Sequence, residues 1–172
     1  METWQAINSV RVVRKFTDQP VAAKDLNRVL NAGRRAGSSK NRQRWAFIVV
    51  KDRDRLQELT KVGRYADHLA GAAVAVALVT PDEEGPPLRS IMWDLGRAAQ
   101  NMVLVAWELG IGSVPATAHN RRVAQELLKL PSGQRCDFLL SFGYPADPKK
   151  LTAPNKPGGR LPLEDLVHEE RW

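Results

Sequence analysis

The sequence contains few of the residues that usually carry catalysis or cross-links. Its 172 residues include one cysteine, Cys136, and three histidines. A single cysteine excludes an internal disulfide and a zinc site built from several thiolates. We interpret Cys136, at the start of the apolar run 136–140, as a buried strand residue. His68, His119 and His168 are isolated from other metal ligands in the sequence, so we expect surface or satisfied side chains and no metal site.

Several motifs that would assign an enzyme class are also missing. The chain has no Gly-x-Ser-x-Gly elbow, no Walker A loop, no His-Glu-x-x-His and no Gly-x-Gly-x-x-Gly fingerprint. The N-terminus lacks a basic region followed by an apolar core, which disfavours a signal peptide. The longest apolar run, 72–79, is too short to span a bilayer. We therefore expect a cytoplasmic protein without a membrane partner.

The composition is that of a globular protein with a net positive charge. Apolar residues make up 43% and charged residues 26%, and the formal net charge is +7. Such a field favours anionic ligands. The basic residues are scattered among acids, and no zinc-finger or RNP-like motif is present. We therefore expect no nucleic-acid partner, although a basic nucleic-acid module is kept as a third hypothesis.

The order of helical and extended patterns predicts an α+β fold in a single domain, 1–172. Helices are expected at about 22–35, after Asp52, at about 88–109 and after Asn120, and strands at 46–51, 72–79, 113–117 and 136–144. The segment 81–87 is expected to be a loop. The helix 88–109 has apolar residues on two sides, so we expect it to lie at the centre of the fold, at a subunit interface, or both. From about 145 the chain is an extended arm with little core of its own.

Two polar segments are candidates for ligand binding. Arg11 and Arg14 are three positions apart, and on a helical or turn-like path their forked side chains converge on one phosphate. Two solvated arginines paired with acids such as Asp18 explain the spacing equally well. The segment 37–45 gathers hydroxyl and amide groups, which stabilise turns through local backbone bonds. The two segments together suit a ligand with a polar planar head and an anionic tail, such as a flavin nucleotide.

Six segments, in order, match one family pattern over nearly the full length of the chain. They are 10–16, 37–45, 94–102, 109–113, 142–145 and 160–167. The chain resembles the nitroreductase family, the FMN-dependent oxidoreductases with an α+β fold. The resemblance implies a three-layer fold, with a central mixed or antiparallel sheet flanked by helices and the C-terminal arm extending onto the partner subunit of a homodimer.

The resemblance also implies a site for FMN. Arg11, Arg14 and Arg160 would hold the phosphate and ribityl region. Ser38, Ser39 and Asn41, from the other subunit, would contact the ring. The stretch 114–118 would run past the flavin, with the N–H groups of Thr117 and Ala118 near N5 and O4. The full set of implied cofactor-binding residues is Arg11, Val12, Arg14, Gly37, Ser38, Ser39, Asn41, Gln43, Pro115, Ala116, Thr117, Ala118 and Arg160.

No side chain is implied as catalytic, because the flavin N5 carries the chemistry. The implied activity is ping-pong hydride transfer from NAD(P)H to a nitroaromatic, quinone or similar electron-poor acceptor. Val10 and Val12 stand where many relatives carry arginine and serine. Gly158 stands where some relatives carry a phosphate-binding lysine, and Lys156 is the candidate to replace that lysine. These departures motivate an alternative, a protein that binds or handles a flavin or deazaflavin without nicotinamide turnover.

Overall fold

The computed structural model describes residues 1–153 and 159–172, and these form a four-stranded sheet between two layers of helices. The helices are α1 (Thr3–Ser9), α2 (Ala23–Arg34), α3 (Arg53–Leu59), α4 (Gly85–Glu108) and α5 (Arg121–Leu128). The strands are β1 (Ala46–Val50), β2 (Val74–Pro81), β3 (Gly112–Thr117) and β4 (Gln134–Gly143). The expected α+β class and three-layer arrangement are confirmed.

The sheet has the order β1-β2-β4-β3, and each of these neighbouring pairs is antiparallel. β2 is a continuous apolar strand that is buried on both faces, as its sequence predicts, because helices cover the sheet on both sides. β1 and β3 are the two edges. Three interstrand spacings of about 4.8 Å therefore separate them by about 14 Å.

Each face of the sheet has its own apolar core. On one face, α2 and α4 pack against β2 and β4 through residues that include Leu26, Val29, Leu95, Met102 and Phe142. On the other face, α3 and α5 cover the sheet through residues that include Leu56, Leu59, Ala124, Leu128 and Leu139. In α2 the buried residues Leu26, Val29 and Gly33 follow the helical spacing of one face.

Two helix starts follow directly from capping residues. The Asp52 carboxylate accepts a hydrogen bond from the Arg55 N–H at 2.9 Å, and the Asn120 side chain accepts one from the Val123 N–H at 3.2 Å. α4 begins at Gly85 rather than at 88, so the loop expected over 81–87 is shorter. Pro86 and Pro87 occupy its first turn, where a missing N–H leaves no intrahelical bond unmade.

The long helix α4 is covered on part of its circumference. Ile91, Leu95, Ala98 and Met102 are buried, whereas Met92, Ala99 and Val103 on the second stripe are half-buried. Trp93, next to that stripe, is 73% exposed. One side of α4 therefore packs in the core, its second stripe offers an apolar surface, and a subunit interface at α4 stays a prediction.

The described residues of the C-terminal arm, up to 153 and from 159, form two short 3₁₀ turns, Pro148–Leu151 and Leu163–Asp165. Every residue from 159 to 172 is exposed, including Leu163 and Leu166. Gly158, at the position where some relatives carry a phosphate-binding lysine, and its expected substitute Lys156 both lie outside the described residues. That the arm packs on a partner subunit stays a prediction.

Residues 1–153 and 159–172 lack two features of other protein classes. No helix in these ranges is both long and apolar enough to cross a membrane. The same ranges contain no group of three or more histidine, cysteine or acidic side chains arranged to hold a metal ion.

Gly63 allows a close contact between the segment that follows α3 and the end of β3. A Cβ atom at Gly63 would overlap the Thr117 carbonyl oxygen and lie 3.0 Å from His119 Nδ1. Gly71 is a matched control, because a Cβ atom there meets nothing within 4 Å.

We expect Gly63→Ala to lower the free energy of unfolding by about 1–3 kcal/mol, because the added carbon forces the segment away from β3. Gly71→Ala should change it by less than about 0.5 kcal/mol. Urea unfolding of both variants measures the difference. Equal stabilities for the two variants would contradict the contact.

Candidate functional site

The arginine segment lies along the beginning of the edge strand β3. Val12 forms a parallel bridge with Ser113, and the Val13 N–H donates to the Ser113 carbonyl at 3.0 Å. Val13 is fully buried, whereas Arg14 on the next position is exposed. The buried valine therefore anchors the segment and directs Arg14 outward beside β3.

Arg11 and Arg14 differ in how much of their guanidinium is engaged. Arg11 donates from Nη1 to the Ser9 carbonyl at 2.9 Å and from Nη2 to the Ala153 carbonyl at 2.6 Å. The Arg14 guanidinium forms no hydrogen bond or ion pair with any residue in the described ranges. The expected alternative, pairing with Asp18, is not observed, because Asp18 pairs with Arg53 at 3.6 Å. Arg14 is thus an uncompensated cation.

The free side of β3 presents backbone groups from alternate residues. The Ala118 N–H donates to the Asp137 carbonyl at 2.8 Å, whereas the Ser113 carbonyl points away from β4 and accepts from Val13. By the alternation of an antiparallel ladder, Pro115 and Thr117 also direct their backbone groups to the open edge. The Thr117 N–H therefore faces the open edge of β3, and its contact with a flavin stays a prediction.

The expectation for Ala118 is wrong in this structure. Its N–H is used in the sheet and is not free to meet O4 of a flavin. The side chains of Ala116 and Ala118 are also buried, with exposures of 2% and 3%. The backbone groups of these two residues serve the pairing with β4, and whether either residue contacts a cofactor stays a prediction.

The polar turn before β1 is held by its own side chains and by α4. The Ser39 N–H donates to the buried Asp94 carboxylate at 2.8 Å, and the Gln43 N–H donates to Ser38 Oγ at 2.9 Å. The Gln43 amide donates to Asn41 Oδ1 at 3.1 Å. The interpretation that these residues stabilise a turn is therefore correct. Whether they also contact a cofactor stays a prediction.

The turn has an unusual backbone for its residue types. Lys40, Asn41 and Gln43 have φ values of 52°, 53° and 48°. Left-handed conformations are tolerated by asparagine but are uncommon for lysine and glutamine, and such strain persists only where the surroundings hold it. Asp94 on α4 holds the start of this turn through the Ser39 N–H, a role that no local sequence pattern indicates.

The turn and the arginine segment lie far apart within one chain. The turn precedes β1, at the opposite edge of the sheet from β3. The turn contacts α4 at Asp94. Ser9, the residue before the arginine segment, contacts α4 near its other end, where the Ser9 hydroxyl accepts a hydrogen bond from Trp107 Nε1 at 2.9 Å. A helix rises about 1.5 Å per residue, so Asp94 and Trp107 are about 20 Å apart. One protomer does not bring both groups to one small ligand.

The segment Gly63 to Leu69, to which no role was assigned, packs behind β3. His68, in the 3₁₀ turn Asp67–Leu69, is 9% exposed, and its Nδ1 lies 2.7 Å from Ser141 Oγ. Burial lowers the pKa of His68 most and Arg14 lowers it further, whereas the Pro115 carbonyl and Asp67 raise it. The expectation of a satisfied histidine holds only for Nδ1, because Nε2 forms no hydrogen bond of full geometry among the described residues.

Two further predicted residues have simple surroundings. Cys136 is buried in β4 as expected, and burial raises the pKa of its thiol to about 12, which makes it unreactive at neutral pH. Arg160 is exposed and forms no hydrogen bond or ion pair within the ranges that the structure describes. Its role in phosphate binding stays a prediction.

An apolar cleft of about 400 Å³ opens between α4 and the sheet beside Pro115. Met92, Gly96 and Ala99 form the helix side, and Phe138 and Leu140 contribute from β4. An apolar wall next to an edge with a free N–H and an uncompensated arginine matches the parts of a flavin nucleotide, namely a flat ring, its polar edge and a phosphate. The fold and the site define an α+β protein suited to such a ligand.

The comparisons with known proteins give the family. The model of the nitroreductase family matches residues 7–63 and 57–144. A protein of Archaeoglobus fulgidus, provisionally named NADH dehydrogenase/NAD(P)H nitroreductase, is 30% identical over 99% of this chain and 99% of its own. The oxygen-insensitive NADPH nitroreductase of Salmonella typhimurium is 30% identical over 94% of this chain and 71% of its own.

A solved structure agrees with the sequence relatives. The NADPH:FMN oxidoreductase of Vibrio harveyi, complexed with NAD⁺, superimposes with a TM-score of 0.86 and 26% identity over 99% of this chain and 77% of its own. The chain belongs to the nitroreductase family.

We expect Asp94→Ala to lower the free energy of unfolding by about 1.5–3 kcal/mol, because the strained turn loses its charged acceptor. Asp94→Asn, which keeps a neutral acceptor, should lose about half as much. Glu126→Ala on α5 is the control, since its pair with Arg122 is exposed and should contribute less than about 1 kcal/mol. Urea unfolding that ranks all three variants together would show that Asp94 does not hold the turn.

Proposed function

We propose that the chain is an FMN-dependent NAD(P)H oxidoreductase. The observation that carries the proposal is the uncompensated Arg14 guanidinium beside the open edge of β3, where the Thr117 N–H is free. Family membership and relatives named for NADPH nitroreductase and NADPH:FMN oxidoreductase activities support the same cofactor and electron donor.

The residues have separate tasks in this proposal. Arg14 binds the phosphate, Arg11 orients the start of the segment through the Ser9 and Ala153 carbonyls, and the Thr117 N–H donates to the polar edge of the ring. The apolar cleft beside Pro115 excludes water from one face of the site. When bound, FMN supplies the redox chemistry, accepting a hydride from NAD(P)H at N5 for an electron-poor acceptor such as a nitroaromatic or quinone.

We further propose that the working form is a homodimer. The turn 38–41 lies at the opposite edge of the sheet from β3, so it reaches a flavin at β3 only if it comes from the other subunit. The half-buried second stripe of α4 and the exposed apolar residues of the arm, Leu163 and Leu166, provide surface for such an interface. A cytoplasmic location stays a prediction.

A second candidate is a flavin- or deazaflavin-binding protein without nicotinamide turnover. Val12 favours it, because a side chain that is 45% exposed beside β3 offers no polar group where the family pattern has one. The two candidates differ in a single property, which is turnover of the reduced nicotinamide.

The purified protein should be yellow, with flavin absorbance near roughly 450 nm, and should oxidise NADH or NADPH when a nitroaromatic or quinone is added. Binding of FMN without nicotinamide oxidation would favour the second candidate. Protein that remains colourless after incubation with FMN, and is inactive, would remove the first candidate, and failure to bind a deazaflavin as well would remove the second.

We expect Arg14→Ala to weaken FMN binding by about 10- to 150-fold, since a hydrogen bond to a charged group contributes about 1.5–3 kcal/mol. Arg122→Ala is the matched control, because Arg122 is an exposed arginine on α5 that pairs with Glu126. Fluorescence titration of the flavin-free proteins measures both dissociation constants. Equal affinities would show that Arg14 is only a solvated surface residue.

A further inference from the structure

His68 is a buried side chain, and Arg14 of the arginine segment is near enough to act on its charge. It is 9% exposed, and its Nδ1 is engaged with Ser141 Oγ on β4. Its Nε2 is buried and forms no hydrogen bond of full geometry among the described residues, although the Pro115 carbonyl is near enough to act on the ring. A polar atom in this state costs free energy, so native proteins rarely retain one without a reason.

Three charged or polar groups act on the imidazole from the surrounding elements. Arg14, on the segment beside β3, opposes protonation, and Asp67, on the same 3₁₀ turn, favours it. The Pro115 carbonyl on β3 also favours it. Because burial and Arg14 together outweigh the other two, the pKa of His68 is lowered, which favours the neutral imidazole at neutral pH.

The charge balance reverses when a phosphomonoester occupies Arg14. A phosphate of this type carries about −1.5 to −2 charges at pH 7, more than the single positive charge of Arg14. The electrostatic potential at His68 then becomes more negative, and the charged imidazolium becomes more favourable than in the free protein. His68 lies next to a site whose occupation changes its own preferred protonation state.

We propose that His68 is a further residue of the phosphate subsite, a buried base beside Arg14 that takes up a proton from solvent when FMN binds. The inference rests on the proposed function, and it names the residue that lies behind the exposed arginine. A nitrogen without a hydrogen bond of full geometry in the free protein thus gains a charged counterpart in the complex. The ligand class it recognises is a flavin that carries a phosphate, as opposed to one without it.

Proton uptake on binding is measurable by titration calorimetry of the flavin-free full chain at neutral pH in two buffers of different ionisation enthalpy. We expect FMN binding to take up more protons in the wild type than in His68→Gln, by at most about one proton per site. Riboflavin, which lacks the phosphate, should show no difference between the two proteins. His119→Gln is the matched control, because His119 also lies near the end of β3 and should behave as the wild type.

The outcomes separate this inference from the proposed function. FMN binding with equal proton uptake in the wild type and His68→Gln overturns the role of His68 and leaves the flavin enzyme intact. Absence of binding by both FMN and riboflavin overturns the proposed function, and the inference with it. A difference that persists with riboflavin overturns the phosphate as its cause.

A second measurement needs no variant of His68 and so does not depend on that variant folding. The chain has three histidines, and NMR of the histidine ring carbons assigns His68 once His119→Gln and His168→Gln have identified the other two. We expect the pKa of the His68 ring to rise when FMN is bound. An unchanged or lower pKa in the complex overturns the proposal.

Discussion

The arrangement of the site depends on one close contact between the arginine segment and the end of the sheet. A Cβ atom at Gly112 would lie 2.6 Å from Val13 Cβ, and one at Gly143 would lie 2.9 Å from the Phe16 ring. These two glycines face each other across β3 and β4, so the segment crosses both strands without a side chain beneath it. A larger residue at either position would lift Arg14 away from β3 and from His68.

The same contact explains why the phosphate and ring ends of the proposed ligand are at fixed positions. The Val13 N–H donates a hydrogen bond to the Ser113 carbonyl. Pro115 and Thr117, the next two residues that face the open edge, belong to the same strand β3 as Ser113. The distance from the arginine to the free N–H is therefore set by strand geometry rather than by a flexible loop. Sites built on such elements hold their ligand-binding groups with little variation.

The elements of the fold were predictable because local signals and burial agree. Asp52 and Asn120 cap the helices that follow them, and the apolar run of β2 is buried on both faces. The start of α4 was missed because prolines suggest a loop, although the first helical turn accepts them. Local pattern alone does not distinguish these two environments.

The candidate site was only partly predictable, because its parts depend on partners distant in sequence. The Thr117 N–H faces the open edge of β3, whereas the Ala118 N–H donates to the Asp137 carbonyl, and only the strand register reveals this difference. His68 lies 73 positions from Ser141 and its pattern is that of an ordinary helical turn. Asp94 supports a turn 55 positions away. No sequence spacing encodes such contacts.

Pro115 also bears on whether a strand from another molecule can pair with the edge of β3. An exposed edge strand offers a row of donors and acceptors to which a strand from another molecule can pair, and this is a route to aggregation. Pro115 faces that edge and has no N–H, so a ladder built onto β3 would lack a hydrogen bond in its middle. The edge can therefore accept a small polar ligand while it resists extension of the sheet by a foreign strand.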